Sequence, residues 1–208
     1  DDSTRHLLAG LREETNGNPF FALEILRYLA STGELLQTAS GRWEASKDLD
    51  FAELPDSIRE VVTERVNRVG HEVAVALTAA AVIGLEFDLA VLALVEGGDE
   101  DRLLDALELA EPAGLITSIG SDRFGFTHAL IANSLLQGLS PVRRATLHRG
   151  IAEAYEGLGR ADTNVGELAG HWLAARGAGA AAKALEYTER AGDLALDSLA
   201  PRDALRWY

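Results

Sequence analysis

Two short stretches of the chain carry residues with chemistry to offer. In the first, Gly17-Asn18-Pro19 opens an apolar run. Asn18 is a good helix N-cap, and Pro19 falls at the first helical position, where its missing N–H costs nothing. In the second, Thr127-His128-Ala129-Leu130 follows Phe124-Gly125-Phe126, with Thr127 as the expected N-cap and His128 at the helix mouth. A helix N-terminus offers free N–H groups and positive potential to an anion. The same field disfavours imidazolium, so His128 is expected to act as a neutral donor rather than as a charge.

Other chemistries lack their residues. Lys47 and Lys183 are the only lysines and neither follows a glycine, so the phosphate loop G-x-x-x-x-G-K-[S/T] is missing and unaided ATP hydrolysis is not expected. His6, His71, His128, His148 and His171 show no zinc-site spacing, and without cysteine there is neither disulfide nor thiolate. No catalytic and no metal-binding residue is assigned. Arg143, Arg144, His148 and Arg149 form the one basic concentration, which reads as a solvated or carboxylate-paired helix face. With 19 basic against 33 acidic residues and a net charge of −14, the chain is a poor match for a phosphate backbone. No apolar run has the length of a membrane span.

The elements that must position these residues are mostly helical. A helix is expected over 4–15, with Leu7, Leu8 and Leu11 on one face, and another from Pro19 to about Thr32, closed by Gly33. The latter places Phe21, Ile25, Tyr28 and Leu29 on an apolar face and Glu24, Arg27 and Ser31 on another. Leu35–Gln37 and Arg42–Glu44 flank a short hairpin or loop, and a boundary is expected at Leu54-Pro55. Ser57-x-x-Glu60 is a capping box for a valine-rich helix. Further helices follow: one after Gly70, one capped by Asp88, and one from Asp99 or Glu100 with Leu103, Leu104 and Leu107 inward. Leu115–Ile119 and Arg123–Phe126 then read as strand, turn, strand.

Three helices and a hairpin in this order make a winged helix. Its third helix carries Asp99, Glu100, Asp101, Asp105, Glu108 and Glu111 against a single Arg102, a surface that repels phosphates. Helices also start at Ser140-Pro141 and cover Val165–Ala175, Ala180–Leu196 and Pro201 onward. Ala184-Leu185-x-Tyr187-x-x-x-Ala191-Gly192 resembles half of a tetratricopeptide repeat. The expected class is mainly α. With no methionine at Asp1 and helical patterns at both ends, the chain is expected to be a piece of a longer protein.

Asn16-Gly17-Asn18-Pro19-Phe20-Phe21-Ala22-Leu23-Glu24-Ile25 and Phe126-Thr127-His128-Ala129-Leu130, in this order and spacing, resemble the region behind the nucleotide-binding core of STAND-class signalling ATPases. The nearest likeness is to the large ATP-binding LuxR-type transcriptional regulators. The resemblance implies that Gly17, Asn18 and Pro19 lie against the adenine side of ATP or ADP, and that His128 senses the β-phosphate of ADP. Related families follow that histidine with aspartate. Here Ala129 follows it, and Phe-x-His-Ala-Leu is what the LuxR-type branch tends to show.

It also implies a helical segment over 1–54, a winged helix over 55–138 and the start of a helical repeat over 139–208. The parent would be a cytoplasmic ATP/ADP switch. The partners of this region would be the nucleotide-binding core of the same chain and an inducer or protein on the repeats, with no direct contact to nucleic acid or membrane. Two other readings stand beside it: the regulatory half of a nucleotidyl cyclase, and a helical interaction scaffold that holds no nucleotide.

Overall fold

Asn18 starts the first helix as its sequence requires, and the architecture follows from a series of such local decisions. The computed structural model describes residues 7, 11, 12, 15, 18–38, 41, 43–45 and 58–208. The protein is mainly α, with two small antiparallel sheets among the described residues. It divides into two compact units, Asp1–Arg68 and Val69–Tyr208. The break between them falls at the end of a helix, and the expected boundary at Leu54-Pro55 lies outside the described residues, as does Ser57 of the expected capping box.

In the first unit, α1 (Pro19–Thr32) is followed by β1 (Leu35–Gln37), β2 (Trp43–Ala45) and α2 (Ile58–Val69). The two strands form a hairpin with Leu35 opposite Ala45 and Gln37 opposite Trp43. Gly33, at φ 82°, takes the left-handed conformation that ends α1. Leu7, Leu11, Phe21, Ile25, Leu29, Leu35 and Val61 form the core, with Leu26 and Tyr28 packed at its margin. Of the expected helix over 4–15, Leu7, Leu11 and Arg12 are described as helical.

Glu24 overturns the expected polar face of α1. It is completely buried, receiving Arg65 at 2.5 Å on one carboxylate oxygen and Arg27 at 2.9 Å on the other. Burial without partners would cost a carboxylate far more than folding can spare, so the two guanidiniums are a condition of this packing. Burial pulls the Arg65 guanidinium below its ordinary value, with Glu24 opposing that effect.

The second unit is built around α3 (His71–Ile83), in which Val73, Ala76, Leu77, Ala79, Ala80, Ala81 and Val82 are all buried. A helix apolar on nearly every side has to be surrounded. Its neighbours are α4 (Leu89–Glu96), α5 (Glu100–Ala110), α6 (Ala129–Gln137) and α7 (Pro141–Gly157), and its alanines let them approach closely. Between α3 and α4 lies β3 (Glu86–Asp88), a strand the sequence reading did not anticipate. It joins the expected hairpin of β4 (Ile116–Ser118) and β5 (Arg123–Phe126) in a sheet of order β3-β5-β4. Phe87 pairs with Phe124 across the register, and their rings stack 5.9 Å apart.

On α5 the inward residues are Leu103, Ala106, Leu107 and Ala110, whereas Leu104 is exposed, contrary to expectation. The acidic residues of this helix are exposed too. Asp88 caps α4 through the Ala90 N–H at 3.0 Å, and its other oxygen holds Arg160 at 2.8 Å beyond the end of α7. The chain continues as α8 (Val165–Ala174), α9 (Ala180–Asp197) and α10 (Pro201–Trp207), each packed on the one before. At Gly192 a Cβ would stand 2.6 Å from the Tyr208 ring, so only hydrogen there lets the end of the chain close onto α9. Among the described residues, no helix is long and apolar enough to cross a membrane.

Candidate functional site

Asn18 adopts extended backbone geometry, φ −72° and ψ 112°, while its side-chain oxygen accepts the Phe20 and Phe21 N–H groups at 3.0 and 3.3 Å. Two donors that α1 could not satisfy internally are thereby paired, and Pro19 removes a third from the problem. Asn18 and Pro19 are both exposed, and a backbone bond from Asn18 N–H to the Thr15 carbonyl, 2.9 Å, ties the turn to the residues before it. Gly17 lies outside the described residues.

At the second stretch the cap is His128 and not Thr127. The His128 Nδ1 accepts the Leu130 N–H at 3.2 Å, and α6 begins at Ala129. Thr127 is unavailable because its hydroxyl donates to the Gly114 carbonyl at 2.8 Å, which fastens the exit of β5 to the entrance of β4. An Nδ1 that accepts a hydrogen bond carries no proton, so the neutral ring holds its hydrogen on Nε2. His128 is exposed at the start of α6, where its ring caps the helix in the place expected of Thr127. Asn18 and Pro19 belong to the first unit and His128 to the second, and each is described within its own unit.

The basic concentration on α7 separates into different roles. Arg149 pairs with Glu153 at 2.7 Å and rests its guanidinium against the backbone of Gly177. Arg144 and His148 instead line a cavity of about 400 Å³, joined by Arg176 from beyond the end of α8. Apolar residues of α3, Leu136 of α6 and Leu139 complete the walls, and Pro141, the first residue of α7, stands at the rim.

Behind this cavity, His148 Nδ1 and His171 Nδ1 are 2.9 Å apart, so one ring donates and the other accepts. Burial lowers the His171 pKa to about 4, with His148 adding to the shift. His148 is lowered as well, by burial first and then by the Arg144 charge. The sequence held each histidine separately, 23 residues apart, and no local pattern links them. Among the described residues no three His, Cys, Asp or Glu side chains are grouped as a metal site. Comparison with known proteins gives no match, since no family model fits the chain and neither a curated protein nor a solved structure is similar to it.

Proposed function

We propose that this chain is the regulatory region of an ATP/ADP-dependent signalling switch of the STAND class, as in a LuxR-type transcriptional regulator. The observation that carries the reading is His128, exposed as the N-cap of the helix that leaves β5. It follows an element order, α3-β3-α4-α5-β4-β5 with strands arranged β3-β5-β4, that suits a winged helix. The α8 to α10 helices, packed in sequence, suit the beginning of a tetratricopeptide-like array. The exposed acids on α5 favour a packing module over a reader of DNA.

In this reading the His128 Nε2–H donates to the β-phosphate of ADP. A phosphate-binding core elsewhere in the parent protein supplies the remaining contacts. One hydrogen bond to a charged group contributes about 1.5–3 kcal/mol, whereas reversing a strongly biased two-state equilibrium takes about 5.5 kcal/mol. His128 therefore tunes the ADP-bound resting state and does not hold it alone.

The test compares ADP and ATP affinities of the parent protein with and without His128→Ala. ADP affinity is expected to fall about tenfold or more, with ATP affected less. Unchanged ADP affinity would remove the reading. ATP turnover by the purified 208-residue chain would contradict it from the other side.

A further inference from the structure

We infer that the cavity between α3, α6 and α7, closed by the end of α8, is a binding site for a small organic anion, a carboxylate or phosphate carried on an apolar body. None of Asn18, Pro19 and His128 lines it, so the inference stands apart from the nucleotide reading. The argument begins with charge. Acidic residues outnumber basic ones 33 to 19, and in this unit Arg102, Arg123, Arg149, Arg160, Lys183 and Arg190 each pair with a carboxylate.

Arg143, Arg144, Arg176, Arg202 and Arg206 are not in such a pair among the described residues, and of these Arg144 and Arg176 line one cavity together. Among the described residues neither has a carboxylate partner, and no acid lines the cavity they share. Two guanidiniums facing one concave space, in a chain with acids to spare, form an uncompensated positive site. Guanidinium forks match carboxylate and phosphate oxygens in geometry as well as in charge. Pro141 at the rim brings the positive end of the 17-residue helix α7 to the same place.

The remaining walls decide what else the ligand carries. Ala81, Val82, Leu136 and Leu139 offer apolar surface to a ring or short chain, and about 400 Å³ suits a small molecule. His148 connects this space to His171 through their 2.9 Å contact. An anion placed beside Arg144 offsets the charge that disfavours protonation of His148, so occupancy is legible in the titration of that ring.

Calorimetric titration of the full chain with phenyl phosphate, benzoate and benzyl alcohol tests the site, with His148 followed by NMR. Saturable binding of phenyl phosphate or benzoate at about millimolar concentration or below is expected, without binding of benzyl alcohol, and His148 should titrate at higher pH in the bound protein. The anion that binds more tightly identifies the head group. Arg144→Gln and Arg176→Gln should each weaken binding about tenfold or more, whereas Arg202→Gln, the same charge change on the exposed face of α10, should leave it unchanged. Absence of saturable binding by both anions, equal binding of the alcohol, or an equal loss in Arg202→Gln would overturn the site.

Discussion

Glu24 in the first unit and His171 in the second are both buried side chains able to carry charge, and the chain treats them oppositely. Glu24 stays with two guanidiniums, one of them largely buried, while His171 gives up its charge and shares a hydrogen bond with a second neutral ring. The difference lies in what an ion needs once water is gone. A carboxylate can be surrounded by Arg65 and Arg27, whereas His171 faces His148, a ring that itself feels the charge of Arg144 one turn earlier on α7. Burial therefore fixes a charge in one unit and extinguishes it in the other.

The largest test of this contrast is Arg65→Ala. Removing the better-buried partner leaves Glu24 with only the half-exposed Arg27, and the first unit should lose about 3 kcal/mol in urea unfolding. Replacing both members with apolar residues of similar size, Glu24→Leu with Arg65→Met, should cost much less, because no ion is stranded. Equal losses in the two proteins would show that packing and not charge governs the site.

A similar magnitude with an opposite origin is expected from acid. The folded His171 value of about 4 lies below the ordinary histidine value of 6.5, so the unfolded chain binds more protons between these limits. Stability of the second unit is thus fully present above pH 6.5 and falls by about 3 kcal/mol as pH drops toward 4, with His148 contributing in the same direction. His171→Gln should flatten the unfolding free energy across this window. A wild-type protein with no slope there would mean that water reaches the ring pair.

Asn18 supplies the smallest effect and marks the boundary of the comparison, because its hydrogen bonds form at an exposed helix end where water competes. Asn18→Ala should cost about 1 kcal/mol, and Asn18→Gly only a few tenths. A loss as large as that of Arg65→Ala would place the Asn18 turn among the buried polar elements.

These three sites also mark how far the sequence could be read. Asn18 and Asp88 were legible as caps, and Asp99 (beside Glu100) and Ser140-Pro141 as helix starts, because a cap is settled by a side chain and donors two or three residues away. Glu24 was misread because its partner Arg65 lies 41 residues downstream, and helical spacing alone set Glu24 beside Arg27 and Ser31. Thr127 has the better cap chemistry, yet Gly114, 13 residues earlier, claims its hydroxyl and leaves the role to His128. The strand β3 was hidden by its brevity: Glu86-Phe87-Asp88 has one apolar residue and gains its identity from pairing with β5. Of the candidate residues, the sequence could mark Arg144 and His148 as basic but not show that Arg176 joins them.

Asp88 couples more of the second unit than its size suggests. One carboxylate oxygen secures the first turn of α4, the other grips Arg160, and its backbone sits in register with Arg123 of β5. A swing of the C-terminal helices away from the sheet would strain all of these attachments through one side chain.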